Sequence, residues 1–67
     1  MEGDDYRRIR MALATLSSKD REMLWLREVE GLGYDDIAYR LGVTAGSARV
    51  ACHRARRRLE AIYLAGE

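Results

Sequence analysis

YDDIAYRLGVTAGSARVACHRARRRL, residues 34–59, holds two helix patterns separated by a glycine and a threonine. Asp35 and Asp36 stand in what reads as the first turn of a short helix, where negative charge meets the positive end of the helix dipole. Gly42 follows Leu41 at the place where helices commonly close in a left-handed conformation. Thr44 is then positioned to cap another helix from about residue 45. Two helices joined by so short a link make a helix-turn-helix; the plainer alternative is a helical hairpin with a glycine turn. Ala38 supplies the small side chain that a steep crossing needs, and Ile37, Leu41 and Val43 are expected to be buried around the turn.

The last helix of this stretch has two faces. Ala48, Cys52, Ala55, Leu59 and Ile62 recur at spacings of four and three, which places them on one stripe toward the other helices. At roughly 100° per residue, Gly46, Val50, His53 and Arg57 then point away from the core. Arg49 flanks them on one side, Ser47 and Arg54 on the other. A basic face with small residues at its N-terminal end can enter a major groove, where arginine forks onto guanine and phosphates take the remaining charge. A charged face that is merely solvated is the simpler reading. Against it, no acid lies between residues 45 and 59 to act as an i,i+4 partner within that span, so the five arginines from Arg49 to Arg58 are expected to need an external anion.

Toward the N-terminus, Gly31 closes a helix over about 18–30 that starts at Ser17-Ser18-Lys19-Asp20, with a serine hydroxyl as cap. Its apolar set, Met23, Leu24, Leu26 and Val29, is broad. Tyr6, Ile9, Leu13 and Leu16 make one face of a helix over about 4–15. The expectation is an all-α fold, a compact four-helix domain over residues 1–67, with helices at about 4–15, 18–30, 34–41 and 45–64 and a C-terminal helix-turn-helix ending in a long basic helix.

Composition narrows the function. At 67 residues and 48% hydrophobic content, burial alone leaves a thin stability margin. Residues 1–36 carry nine acids against six bases, and residues 37–67 six arginines against two acids, so a net charge of +1 hides a polyanion-facing half. No apolar run approaches the ~18 residues of a membrane span, and no charged leader precedes a greasy segment, so a soluble, cytoplasmic chain is expected. The single cysteine, Cys52, has no second cysteine for a disulfide or a zinc site. Without a phosphate loop, a metal-ligand set or paired carboxylates, no enzyme, cofactor, metal or small-molecule substrate is expected.

LSSKDREMLWLREVEGLGYDDIAYRLGVTAGSARVACHRARRRL, Leu16 to Leu59, resembles region 4 of bacterial sigma factors of the sigma-70 family, the domain that binds the promoter −35 element. It is most similar to the extracytoplasmic-function group, whose members read LREVEGLSYEEIA and then LGVPxGTVKSRxxRARxxL. The resemblance implies sequence-specific binding to double-stranded promoter DNA in transcription initiation, as part of a sigma factor that RNA polymerase carries. By the same resemblance Arg49, Val50, His53 and Arg54 are the DNA-contacting positions, and the helix starts near Tyr34 and Thr44 face phosphates. It also implies docking to the flap of the polymerase β subunit and masking by an anti-sigma factor. A protein-interaction module with residual DNA contact is the alternative; a response-regulator-type helix-turn-helix shares the four-helix plan, but HRARRRL argues against it.

Four positions depart from the family's pattern. Gly33 stands where a serine or threonine cap is usual, Ala48 where valine is usual, Val50 where serine is common and Ala51 where arginine or lysine is common. An apolar Val50 pointing outward can touch a thymine methyl, and it equally fits a shifted promoter preference or a weak DNA affinity. The family needs a further domain for the −10 element, so the chain is expected to be an excised domain or a partner-dependent half with weak DNA affinity alone.

Three single residues complete the reading. Cys52 and His53 diverge by about 100° on a helix and cannot share a metal or act as a nucleophile–base pair. Cys52 is expected in the core, while His53 stays open between a DNA contact and a solvated position. Trp25 is expected in the core, or at a partner interface, rather than as a ligand platform, with core packing the first reading.

Overall fold

The computed structural model describes residues 3–65, which form four helices and no strand. α1 spans Gly3–Thr15, α2 Ser18–Leu24, α3 Tyr34–Leu41 and α4 Ala45–Ala65. α2 runs on without a break into a π-helical turn, Trp25–Val29. None of the described helices is long and apolar enough to cross a membrane.

Local chemistry sets the helix ends. The Ser17 hydroxyl accepts from the Asp20 amide at 3.1 Å and starts α2. Thr44 accepts from the Ser47 amide at 3.0 Å and starts α4. Gly31 and Gly42 both adopt φ +70°, a conformation that strains any residue with a Cβ, and they end the π-helical turn and α3. Arg21 folds back onto the end of α1, donating to the Leu16 carbonyl at 2.6 Å and so satisfying an oxygen that the helix cannot.

α4 is the element on which the others are assembled. Its N-terminal half contributes Ala48 and Cys52 to a cluster with Met23, Leu26, Ile37 and Ala38. Its C-terminal half contributes Ala55, with Leu59 and Ile62 alongside, to a second cluster with Leu16 and Leu24. Ala48 and Ala55 are fully buried, and Cys52 nearly so. Small side chains on this stripe let the helices approach closely, and Met23 and Ile37 supply the largest fully buried volumes. Each is worth about 1.5–3 kcal/mol of burial, a large part of what holds so small a domain together.

Two expected core positions are exposed instead. Trp25 is 55% exposed, and its indole N–H donates to Glu30 at 3.0 Å. The cause is helical phase: Met23, Leu24 and Leu26 take the inward arc, and Trp25 falls opposite it. Val43 lies at the surface of the turn, because Ile37, Ala38 and Ala48 close the α3–α4 crossing without it. Tyr6 is exposed as well. α1 runs antiparallel to the C-terminal half of α4, with Leu13 beside Leu59 and the Arg8 guanidinium 4.2 Å from the Tyr63 ring, so Tyr6 comes level with the last turn of α4, where the Arg10 guanidinium lies 5.5 Å from its ring centroid. α1 is instead anchored by Ala12 and Leu16.

Candidate nucleic-acid interface

The helix-turn-helix comprises α3, the link Gly42–Thr44 and the first half of α4. The Val43 amide donates to the Ala38 carbonyl at 3.0 Å, so the backbone is bonded through the turn. With Ile37, Ala38 and Ala48 buried at the crossing, α4 is held at a fixed angle with one side free. Ser47, Arg49, Val50, His53, Arg54 and Arg57 are all exposed on that side.

Two open depressions meet there. One, of about 470 Å³, lies between the starts of α3 and α4, with Tyr34, Asp35, Asp36 and Arg49 in its lining. The other, of about 500 Å³, lies along α4, with Ser47, Arg49, Val50, Ala51 and Arg54 in its lining. Gly46 and Arg49 border both, so the Arg49 guanidinium serves either side of one ridge. A Cβ on Gly46 would meet nothing within 4 Å, so the helix surface is open at this point.

Tyr34 and Thr44 are built differently from the others. Tyr34 is half-buried, packs against the core cluster and lies under the Arg27 guanidinium, 4.4 Å from its ring centroid. Its ring is therefore committed to packing, and what the α3 start offers an anion is main-chain polarity beside two exposed carboxylates. The Thr44 hydroxyl is engaged in capping α4.

The arginine cluster divides. With Ala55 buried at 0% exposure, Arg56 and Arg58 fall on either flank of the stripe and Arg57 opposite it. Arg56 pairs with Glu28, and Arg58 donates to Asp20 at 2.8 Å. The expectation that all five arginines lack a protein partner is therefore corrected: α2 and its π-helical turn supply two. The sequence pattern hid this because both acids lie about thirty residues or more away in the chain. Among the described residues Arg49, Arg54 and Arg57 have no ion pair, and these three make the outward face cationic.

Cys52 is buried against the Met23 carbonyl, 4.0 Å from its sulfur. Burial pushes the thiol above its usual range, more strongly than Arg27 and Arg56 pull it down. Such a thiol is an inert core residue rather than a nucleophile. Among the described residues no group of three or more metal-binding side chains comes together.

A second surface lies behind the first. Leu13, Leu24, Trp25, Val29 and Leu59 line an apolar groove of about 320 Å³, with Arg21, Glu28 and Arg56 on its rim. Val29 is 60% exposed there. Helical phase places Trp25 opposite Met23, so the pattern that could have found this surface was present in the broad apolar set of α2.

Residues 6–59 match the family model described as Sigma-70, region 4. The whole chain is 43% identical over 68 residues to the ECF RNA polymerase sigma factor SigD of Mycobacterium bovis and of Mycobacterium tuberculosis, covering 32% of those proteins. Three quarters of the chain is 44% identical over 50 residues to the ECF RNA polymerase sigma factor ShbA of Streptomyces griseus, covering 26% of it. The chain thus spans about a third of the length of the curated relatives it matches.

Proposed function

The chain belongs to the sigma-70 region 4 family, and on that premise we propose that it is a non-catalytic domain that binds the promoter −35 element as part of a sigma factor. The observation that carries this reading is the exposed trio Arg49, Arg54 and Arg57, without an ion pair among the described residues, on the free face of a helix held by a helix-turn-helix. Arg49 and Arg54, with Ser47, Val50 and His53 between and beside them, enter the major groove. Arg57 lies farther along the helix and takes phosphate. The polar starts of α3 and α4, near Tyr34 and Thr44, approach the backbone of the duplex.

Titration of the chain onto −35 duplexes at several salt concentrations tests this. Arg49→Ala and Arg54→Ala are expected to weaken binding by about 1–3 kcal/mol each and to relax sequence preference. Arg57→Ala should lower affinity evenly across sequences and flatten the salt dependence. Binding without salt or sequence dependence at low ionic strength contradicts the reading.

The exposed Trp25 and Val29 favour a second role for the same domain, docking to RNA polymerase core through its β-subunit flap or to an anti-sigma factor. Such a role places the domain in the bacterial cytoplasm. Trp25→Ala should then weaken capture by polymerase while leaving DNA affinity as it was.

A further inference from the structure

Val50 is an exposed β-branched residue in the middle of a helix, and folding does not account for it. Valine forms helices less well than most residues, because its branched Cβ loses χ1 freedom against the preceding turn. A buried valine offsets that cost by packing. Val50 is 43% exposed, on the side of α4 away from both core clusters.

Its surroundings form an apolar spot with a cationic rim. Gly46, one turn toward the N-terminus, leaves its own flank of the isopropyl group open. Ala51 adds a methyl beside it, half-buried against the core. Arg49 and Arg54 stand at the edge of the same depression. A guanidinium one turn along the helix lies about 6 Å away in rise, so base contacts by Arg54 and van der Waals contact by Val50 can fall on neighbouring base pairs.

The major-groove edge of B-DNA displays donors and acceptors at every base pair, and its one methyl group is that of thymine. We propose that Val50 makes this helix read a thymine by its 5-methyl group, next to a base pair read by arginine. This deepens the promoter-binding reading and rests on it. Where a serine would tolerate any base edge through its rotatable hydroxyl, the Val50 isopropyl group leaves the polar edges of the other bases without a partner.

The test uses the full chain and duplexes that it selects from a random-sequence pool. Each thymine of the selected site is replaced, one at a time, by deoxyuridine, which removes only the methyl. At one thymine the wild-type chain should lose about fourfold in affinity, the worth of one buried methyl-sized group. Val50→Ala, with unchanged helical circular dichroism, should bind the thymine and deoxyuridine duplexes equally. The inference is overturned if no thymine shows methyl dependence, or if Val50→Ala keeps the same dependence. Failure to select any sequence overturns the promoter-binding reading itself, and this inference with it.

Discussion

The Arg58 guanidinium donates to the Asp20 carboxylate at 2.8 Å, joining the C-terminal half of α4 to the first turn of α2. Its neighbour Arg57 has no ion pair among the described residues and faces the other way. Consecutive residues of one basic run thus have opposite duties. Arg58→Ala is expected to lower stability by about 0.5–1 kcal/mol, the modest figure that suits a guanidinium largely in solvent, and to leave the salt dependence of DNA binding nearly unchanged. Arg57→Ala should do the reverse. Urea unfolding and salt titrations of both variants check the division, which fails if the two shift the salt slope equally.

Ala38 is buried where α3 crosses α4, against Ala48 and Ile37. Leucine at position 38 has no room without moving one helix off the other. Ala38→Leu should therefore cost about 1–3 kcal/mol and lower the melting temperature by several degrees for each of those. DNA affinity should fall with it, since the angle of α4 depends on the same contact. An unchanged melting curve would show that the crossing is looser than its burial implies.

Gly33 precedes α3 with φ −73° and ψ 164° and provides no side-chain cap. A Cβ there would meet nothing within 4 Å. Gly33→Ser is expected to raise stability by about 0.5–1 kcal/mol, partly by capping α3 and partly by restricting the unfolded chain. The urea midpoint should rise with the slope of the transition unchanged. A lower midpoint would mean that the extended conformation at position 33 depends on glycine.

The buried Cys52 thiol has its pKa raised chiefly by loss of solvation. The native state then keeps a proton that the unfolded chain releases. Its contribution to stability is complete below the unfolded thiol value of about 8.5 and declines as pH rises from there through the native value. Stability measured by urea between about pH 8 and 10 should fall with pH in the wild type and fall less steeply in Cys52→Ala. Equal slopes would refute the assignment.

The two capping side chains, Ser17 and Thr44, and the two left-handed glycines, Gly31 and Gly42, were legible because each acts on backbone a few residues away. The stripe Ala48, Cys52 and Ala55 was legible because helical periodicity alone places it. Trp25 was misread as core because hydrophobic character says that a side chain gains from burial, not whether its face of the helix meets anything. Val43 was misread for the same reason. The π-helical turn at Trp25–Val29 carried no composition signal, as it is the closing backbone geometry of an otherwise ordinary helix.

By itself, then, the order of residues determined four helices, the turn between the last two and the outward phase of Arg49, Val50, His53, Arg54 and Arg57. Those depend on caps, glycines and a period of 3.6, all short-range properties of the chain. Only the tertiary structure decided which arginines remain available. Glu28 and Asp20 lie far back in the sequence, and it is the packing of α2 and its π-helical turn against α4 that brings them to Arg56 and Arg58. Charge is a property of composition, but its neutralisation is a matter of distance, and distance across the core is set by packing.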